Sequence, residues 1–403
     1  MSGHRESPRA GPTAPVPPAS GQGGSGPSDP RPAASCPDGS GPEALGADAS
    51  GPEALGTETS GPEALSTNAS GPTDSVPSVP GTADPTVPSR KPAGPWNIIF
   101  FGTAPFAVPA LEALASGPDR LVAAVAPPPA PAGRGRGLKP AATSVRAREL
   151  GVRVLEESRP NSLAFVESLK ALEPDLAVVC AYGSLLKDGL LGLCPVPPLN
   201  IHPSLLPRHR GPAPVNWAVI RGDAETGVSV MFLDRGMDEG PVLSQARVPI
   251  APGRPARDLE EELSRLGAGL LMDAIASIKA GTESPRTQDP AMATVNRLLA
   301  KSDGDVDFAR PARELAGVVN GCDPWPGARC GLNGKAVKLF GAFAAPGAAL
   351  PGLALPLTSE GRLPIGTGEG LLEISWLQPE GRKRQTAGEF ARGYRPDRFG
   401  PAP

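Results

Sequence analysis

The stretch WNIIFFGTAPFAVPALEALASGPDRLVAAVA, residues 96–126, indicates the fold class. It begins with an apolar run at 97–101 that ends at Gly102, a pattern typical of a strand buried on both faces. Apolar residues at helical spacing follow between Phe106 and Leu114, and a second apolar run covers 121–126. A strand, a helix and a second strand in this order predict a parallel sheet covered by helices.

The alternation of strands and helices continues as far as residue 278. Apolar residues at helical spacing and apolar runs of strand length follow one another. The predicted helices pass through Val145 and Leu150, from Leu163 to Leu172 and from Leu259 to Ile278, and the predicted strands cover 176–180, 199–202 and 226–233.

The pattern changes at about residue 290, where Pro and Gly interrupt short apolar runs. Runs such as 336–340 and 371–374 have the length of strands and no helical spacing. We therefore predict two folded domains, an α/β domain at 96–290 and a small β-rich domain at 291–403.

Residues 1–95 differ in composition from the rest of the chain. They contain no Ile, Phe, Tyr or Trp and hold 19 of the 53 prolines, so they lack the side chains that a core needs. A ten-residue unit that begins GPEAL starts at Gly41, Gly51 and Gly61, but the unit is too short and too poor in apolar residues for a stacked repeat. We predict a disordered extension, and the sequence does not indicate its role.

Charge and cysteine content exclude several classes of protein. The extension carries 5 Lys/Arg against 10 Asp/Glu, which leaves 34 against 32 for residues 96–403, a balance compatible with a nucleic-acid partner. The five cysteines form no Cys-x-x-Cys pair, so neither a disulfide framework nor a zinc site is indicated. Because the sequence has neither a long apolar stretch nor a secretory signal, we predict a cytoplasmic protein without a membrane segment.

The stretch LNIHPSLLP, residues 199–207, contains the first candidate catalytic residues. Successive side chains of a strand point to opposite faces, so Asn200 and His202 share one face. Of the three histidines in the chain, His4 lies in the extension and His209 among arginines, so a catalytic imidazole would come from His202. Taken alone, a single histidine is more often a hydrogen-bonded core residue.

A carboxylate follows the predicted strand 226–233. Asp238 lies between Gly236 and Gly240, and glycines let the backbone approach a flat ligand closely. On its own such an aspartate is more often a turn residue. Together with the amide and imidazole of the preceding strand it forms a specific set of polar groups.

This set resembles the active site of the folate-dependent formyltransferases, and further segments resemble the methionyl-tRNA formyltransferases among them. The first strand and turn, a basic loop, the run after His202 and two C-terminal segments are similar to motifs of that family. These segments are IIFFGTAPFA (98–107), PAGRGRGLKP (131–140), LLPRHRGPAP (205–214), DPWPGA (323–328) and LQPEGRKR (377–384), and the resemblance covers about residues 97–395.

The resemblance implies a Rossmann-like formyltransferase domain followed by a C-terminal β-barrel of the OB type. It also implies a monomeric enzyme that, without a metal, moves the formyl group of 10-formyltetrahydrofolate to the free amino group of initiator methionyl-tRNA. Asn200 and a protonated His202 are expected to donate hydrogen bonds to the formyl oxygen as it becomes negative. Asp238 is expected to favour the imidazolium and to help remove the amine proton, directly or through water.

Binding residues follow from the same resemblance. Folate contacts are expected from Tyr182, Gly183, Ser204, Leu205, Leu206, Pro207, Met237 and Gly240. Contacts with tRNA are expected from Arg134, Arg136, Lys139, Arg208, Arg382, Lys383 and Arg384. Ser204 either holds the turn after the strand or caps a helix, and the cap is the favoured interpretation. Without the resemblance, the basic cluster at 382–384 is equally well explained as a solvated charged turn.

The chain departs from the family pattern at a few positions. Pro127-Pro128-Pro129-Ala130 stands where the family usually has a Gln-Pro-Asp-Arg-like run, which puts any charged contact there in doubt. His209 stands where an aromatic residue is usual, and Leu233 and Arg235 are atypical beside Asp238. None of these departures removes a predicted catalytic group.

Other functions remain open from the sequence. A formyltetrahydrofolate hydrolase or an amino-sugar formyltransferase would use the same amide, imidazole and carboxylate. Such enzymes generally lack the combination of basic loop and C-terminal barrel, which favours tRNA as the acceptor. An alternative of another class is a non-catalytic RNA-binding protein.

Overall fold

The computed structural model describes residues 94–132 and 137–403. Of the predicted extension, residues 1–93 lie outside the described residues. Within the described ranges the chain forms a seven-stranded sheet, a five-stranded sheet and a two-stranded hairpin. The larger sheet comes from the first part of the chain and the five-stranded sheet from the last, as predicted for an α/β domain with a small β-rich partner.

The first part of the chain alternates strands with helices. Its strands are β1 (Asn97–Gly102), β2 (Arg120–Ala126), β3 (Ala130–Ala132), β4 (Gly137–Lys139), β5 (Val154–Glu156), β6 (Leu176–Cys180), β7 (Leu199–His202), β8 (Glu225–Phe232) and β9 (Val242–Pro249). Its helices are α1 (Val108–Ser116), α2 (Ala142–Glu149), α3 (Leu163–Lys170), α4 (Asp188–Leu191), α5 (Pro214–Ile220) and α6 (Ala256–Ala280).

The seven-stranded sheet is mixed. Its order is β5-β2-β1-β6-β7-β8-β9, and the strands from β5 to β7 are parallel. The predicted parallel arrangement is confirmed for the strands from β5 to β7, whereas β8 and β9, whose direction was not predicted, run antiparallel to their neighbours. An apolar run such as that of β8 records burial on both faces and not strand direction, so the sequence pattern could not reveal this.

Both faces of β1 are buried, because alternate side chains enter two different cores. Ile98 and Phe100 lie in the core on one face, together with Leu263 of α6. Ile99 and Phe101 lie in the core on the other face, with Leu169 of α3. The apolar run at 97–101 therefore forms a central strand between two helical layers, as its lack of polar residues predicted.

The last part of the chain forms a small barrel. Its elements are α7 (Ala312–Gly321), β10 (Ala328–Leu332), β11 (Lys335–Ala345), β12 (Leu363–Gly366), β13 (Leu371–Pro379), β14 (Gln385–Thr386) and α8 (Ala387–Tyr394). The antiparallel order is β10-β11-β13-β12, with β14 beside β13. Backbone hydrogen bonds from Gly331 to Gly400, from Ala354 to Asp397 and from Leu355 to Pro364 link the two edges through chain segments outside the named strands. The sheet thereby closes around an apolar core, and the predicted β-barrel is confirmed.

Helices α5 and α7 join the two parts of the molecule. The side-chain amide of Asn216 donates to the backbone oxygen of Gly321 over 2.8 Å. A Cβ atom at Gly317 would lie 2.7 Å from the oxygen of Ile220, so the two helices approach as closely as a glycine permits. The predicted domain boundary near residue 290 falls in the segment between α6 and α7 and stays a prediction. Among the described residues, no helix combines the length and apolar character that crossing a lipid bilayer requires.

Candidate active site

Asn200 and His202 project from the same face of β7 into a cavity of about 560 Å³. Both residues are almost fully buried, with 8% and 5% of their surface exposed. The cavity walls come from residues 181–186, 200–203, 211–214 and 233–238, together with Val179, Leu191 and Leu298. The alternation of a four-residue strand therefore brings together the two polar groups that the sequence pointed to.

Asp238 reaches both of these side chains. Its Oδ1 atom lies 3.4 Å from the Asn200 amide nitrogen, and its Oδ2 atom lies 3.5 Å from Nδ1 of His202. The backbone N–H of Gly211 also donates to Oδ2, over 2.8 Å. The predicted amide, imidazole and carboxylate thus converge on one wall of the cavity.

The loop that carries Asp238 folds back along the sheet. Because β8 is antiparallel to β7, Phe232 pairs with Leu199, and the chain leaves β8 at the start of β7. The loop must therefore turn back along β7 for Asp238 to reach His202. Asp238 has a left-handed backbone with φ of 57°, a conformation that Asp tolerates better than most residues.

Gln288 holds this loop in place. Its amide nitrogen donates to the backbone oxygens of Asp238 and Gly240, each over 2.8 Å. The Gln288 oxygen accepts from Nε of Arg210 over 3.0 Å. Sequence reasoning missed Gln288, because nothing in the pattern around it indicates a partner 50 residues away.

His202 is oriented by a second contact on the far side of its ring. Its Nε2 atom lies 2.9 Å from the backbone oxygen of His209. A carbonyl oxygen can only accept, so Nε2 carries a hydrogen and donates it. The other ring nitrogen, Nδ1, faces Asp238 and the cavity.

The rest of the cavity wall is mainly apolar. Tyr182 lies edge-on to Phe101, with ring centroids 5.4 Å apart, and its backbone oxygen accepts from the hydroxyl of Thr103. Burial and the nearby charge of Glu157 raise the pKa of Tyr182 to about 12, so its phenol remains a hydrogen-bond donor at neutral pH. Leu298 reaches the cavity from the segment between the two parts of the molecule, a contribution that the sequence did not indicate.

Three of the predicted folate contacts line the cavity and five do not. Tyr182, Gly183 and Met237 belong to its wall. The ones outside the lining are Ser204, Leu205, Leu206, Pro207 and Gly240. Leu206 packs with Met231 and Val242, and a Cβ atom at Gly240 would lie 2.0 Å from the oxygen of Phe232, so both fit against strands β8 and β9.

Ser204 holds a turn and does not cap a helix. Its hydroxyl donates to the backbone oxygen of Arg208 over 2.7 Å, and no helix begins there. Its own backbone oxygen accepts from the hydroxyl of Ser229. The interpretation as a helix cap is therefore wrong, because the chain continues from β7 as a turn that packs against Ser229 of β8, and the next helix, α5, begins only at Pro214.

The predicted tRNA contacts of the first part of the chain differ in their surroundings. Arg134 and Arg136 lie outside the described residues. Lys139 is exposed on β4. Arg208 is half exposed, and its guanidinium donates to Oδ1 of Asp223 over 2.9 Å.

The three residues of the basic cluster at 382–384 do not form one exposed surface. Arg382 and Lys383 are exposed, whereas Arg384 lies over the ring of Phe340 at 3.6 Å and pairs with Asp323 at 3.3 Å. Burial lowers the pKa of the Arg384 guanidinium, although the charge of Asp323 acts in the opposite direction. Arg384 is thus held against the barrel, while its two neighbours face solvent.

No group of three or more His, Cys, Asp or Glu side chains suited to holding a metal ion is found within 94–132 and 137–403. Asn200, His202 and Asp238 present hydrogen-bonding and proton-transferring groups to the cavity. Their arrangement can stabilise negative charge on an oxygen atom and handle a proton next to it.

Comparison with known families assigns almost the whole described chain. Residues 96–275 match the family described as formyl transferase, and residues 298–395 match the formyl transferase C-terminal domain. Together these matches cover both the α/β part with its cavity and the barrel.

Individual proteins of known name are similar over the same range. The chain is 42% identical over 299 residues to the methionyl-tRNA formyltransferase of Desulfotalea psychrophila, a match covering 74% of this chain and 92% of that protein. It is 42% identical over 307 residues to the corresponding enzyme of Anaeromyxobacter dehalogenans, covering 75% and 98%. Among solved structures, an N-formyltransferase from Helicobacter canadensis, in complex with folinic acid and dTDP-3-aminofucose, has a TM-score of 0.52 at 16% identity, covering 72% of this chain and all of that one. The last likeness concerns the fold.

Proposed function

Because the chain belongs to the family of methionyl-tRNA formyltransferases, we propose that it transfers a formyl group from 10-formyltetrahydrofolate to the free amino group of initiator methionyl-tRNA. The observation that carries this proposal is the convergence of Asn200, His202 and Asp238 on one cavity. A formyl transfer in translation initiation requires both a folate site and a tRNA surface.

The cavity fits a folate co-substrate in size and in the character of its walls. Its volume of about 560 Å³ lies within the range of roughly 300–1,000 Å³ that is usual for small-molecule sites. Largely apolar walls suit a flat ring system, and we propose that Tyr182, Gly183 and Met237 contact it. The bound co-substrate supplies the formyl group on its N10 nitrogen.

Asn200 and His202 stabilise the charge that develops during transfer. When the methionyl amine attacks the formyl carbon, the formyl oxygen becomes negative. The Asn200 amide and Nδ1–H of a protonated His202 point into the cavity and can both donate to that oxygen. Such donors are already in place before the reaction, so no reorganisation is needed at the transition state.

Asp238 acts on protons at the same place. Its carboxylate lies 3.5 Å from Nδ1 of His202, where it faces the proton that an imidazolium carries on that nitrogen. It can also take the proton that the amine loses, directly or through water. When the tetrahedral intermediate collapses, the bond from the formyl carbon to N10 breaks, and N10 takes up one proton as the amine has given one up, so that tetrahydrofolate leaves and the transfer balances. The N–H of Gly211 and the amide of Asn200 keep the carboxylate oriented toward the reacting groups.

The named relatives favour tRNA over other acceptors. Similarity of about 40% extends through the barrel as well as the cavity, and these relatives are methionyl-tRNA formyltransferases. An assay on the full chain with 10-formyltetrahydrofolate and charged initiator tRNA is expected to yield formyl-methionyl-tRNA. Folate breakdown without that product would favour a hydrolase, and formylation of a nucleotide-linked amino sugar would favour a sugar formyltransferase.

A second experiment separates the enzyme from a non-catalytic RNA-binding protein. His202→Ala is expected to lower kcat by roughly 10²- to 10³-fold, because a donor to the formyl oxygen is lost. Affinity for tRNA, measured by filter binding, should be retained, since His202 is 5% exposed and lies inside the cavity. Loss of tRNA binding in this variant would contradict the assigned role, and unchanged activity with unchanged tRNA affinity would favour the non-catalytic RNA-binding protein.

We further propose that the protein acts as a monomer in the cytoplasm. Asn200, His202 and Asp238 converge within a single copy of the chain, which supports a monomer as the acting form. Sedimentation velocity at assay concentration, followed across the range where activity is measured, tests the monomeric state. Activity that rises with a dimer fraction would contradict it.

A further inference from the structure

His209 is a buried histidine outside the three proposed catalytic residues, with 3% of its surface exposed. It contacts the catalytic imidazole through its backbone, since its carbonyl oxygen accepts from Nε2 of His202 over 2.9 Å. Its own φ is 58°, in the left-handed region that side-chain-bearing residues rarely adopt. The direction of this carbonyl therefore depends on contacts that hold an unfavourable backbone conformation.

Asp223 supplies the main side-chain contact. Its Oδ2 atom lies 2.7 Å from Nε2 of His209, and its Oδ1 atom accepts from Arg208 over 2.9 Å. The backbone N–H of His209 is fixed as well, because it donates to the hydroxyl of Thr294 over 2.8 Å. Arg208 and His209 are thus both hydrogen-bonded to neighbouring segments of the chain.

The surroundings of the His209 ring define its hydrogen positions. Its Nδ1 atom lies 3.4 Å from Nη1 of Arg221 and 3.3 Å from the amide nitrogen of Asn296. A guanidinium has donors only, so Nδ1 acts as an acceptor and Nε2 carries the hydrogen that goes to Asp223. The ring is therefore held by a directed hydrogen bond at each nitrogen.

We propose that His209 and Asp223 form a positioning pair that keeps a proton on Nε2 of His202. The proton that His202 gains and loses is then the one on Nδ1, which faces Asp238 and the cavity. The opposite neutral tautomer would place the lone pair of Nε2 2.9 Å from the carbonyl oxygen of His209, a closer contact between two acceptors than the 3.5 Å between Nδ1 and the Asp238 carboxylate. This inference rests on the proposed function, because it specifies which atom of the catalytic ring exchanges a proton.

Nitrogen NMR on the unaltered chain tests the proposal directly. The chain has three histidines, so ¹⁵N-histidine labelling gives a simple spectrum, and His202→Ala identifies the signals of His202. Neutral His202 is expected to show a protonated Nε2 and an unprotonated Nδ1. A neutral His202 with its proton on Nδ1 overturns the proposal, and the tautomer itself is read on the unaltered chain. It also remains measurable if the chain forms no formyl-methionyl-tRNA, so the two proposals can fail separately.

Asp223→Asn provides the kinetic test, with Asp119→Asn as its matched control. Asp119 is also an aspartate whose side chain is little exposed, 3% against 11% for Asp223, but it pairs with Lys279 and the backbone of Trp96, at the start of β1 and β2. Asp223→Asn is expected to lower kcat by on the order of tenfold or more, as for groups that fix a catalytic tautomer, and to raise the fraction of His202 protonated on Nδ1. Asp119→Asn should change neither value. An equal fall in kcat in Asp119→Asn overturns the proposal. An Asp223→Asn variant that changes only the KM for tRNA also overturns it, because Asp223 would then act through Arg208.

Discussion

Asn200 and His202 are placed by the smallest structural rule in the molecule, the alternation of side chains along a strand. Each then acquires its orientation from a distant residue, Asn200 from Asp238 and His202 from both Asp238 and His209. The chemistry of the site thus depends on a few directed hydrogen bonds inside a mainly apolar wall.

Removing the Asn200 amide isolates its contribution to transfer. Asn200→Ala is expected to lower kcat by roughly 10²- to 10³-fold, because a donor to the developing oxyanion is lost. Single-turnover measurement of formyl-methionyl-tRNA formation gives this rate. Asn97→Ala is the matched control, since Asn97 donates to Glu173 at the start of β1 and should leave the rate unchanged. A higher KM for folate with an unchanged single-turnover rate would indicate a role in binding instead.

The loop between β8 and β9 brings Asp238 to the side chains of β7. It carries Asp238 in a left-handed conformation, and Gln288 satisfies two of its backbone oxygens. A buried carbonyl that loses its donor is destabilising by roughly 1–3 kcal/mol, so Gln288 should contribute to both stability and the position of the carboxylate.

Gln288→Glu tests this contribution with almost no change in shape. The glutamate cannot donate to the oxygens of Asp238 and Gly240, so kcat is expected to fall and the free energy of unfolding to decrease by about 1–3 kcal/mol. Urea unfolding and steady-state kinetics measure the two effects. A variant that loses stability while keeping the kcat of the unaltered chain would show that the carboxylate holds its position without Gln288.

Helix α6 packs closely on the sheet next to the site. A Cβ atom at Gly267 would lie 2.8 Å from Cγ2 of Ile201, whereas nothing lies within 4 Å of a Cβ atom at Gly269. Alanine in place of either glycine gains the same helix propensity, about 1 kcal/mol. The difference between the two variants is therefore the overpacking of α6 against β7.

Gly267→Ala is expected to be less stable than Gly269→Ala by about 1–3 kcal/mol, the usual range for overpacking in a core. Thermal unfolding of the two variants side by side measures this difference. Equal stability of the pair would mean that α6 can move away from β7 without loss.

At the scale of the whole molecule, some basic residues of the barrel face solvent, whereas others form contacts within the protein. Arg382 and Lys383 are exposed, whereas Arg384 lies between Phe340 and Asp323. Asp323 also pairs with Arg257 near the start of α6, so this network links the barrel to the first part of the chain. Neighbouring basic residues therefore have different tasks.

Variants at 382–384 are expected to separate these tasks. Lys383→Ala should weaken tRNA binding and lower the slope of log affinity against log salt by about one, as for a lost phosphate contact. Arg384→Ala should instead decrease the free energy of unfolding by about 1–3 kcal/mol, because it exposes Phe340 and leaves Asp323 with Arg257 alone. Salt titrations of tRNA binding and urea unfolding measure the two effects. Equal loss of tRNA affinity in both variants would place Arg384 on the RNA surface.

The sequence by itself determined the class of the fold and indicated Asn200, His202 and Asp238 as candidate catalytic residues. Runs such as 97–101 and the helical spacing from Leu259 to Ile278 predict elements from neighbours in the chain, and alternation within β7 pairs Asn200 with His202. Hydrophobic periodicity is a local property, so a single sequence is enough to read it.

Only the tertiary structure decided the direction of β8 and β9, the hydrogen bonds from Gln288 to the loop that carries Asp238, and the partners of His209 and Arg384. Each depends on a contact between residues far apart in the chain, such as Arg384 with Asp323 or His209 with Thr294. A side chain's partner is fixed when the chain closes on itself, because charge, hydrogen bonding and burial act through space and leave no local pattern in the sequence.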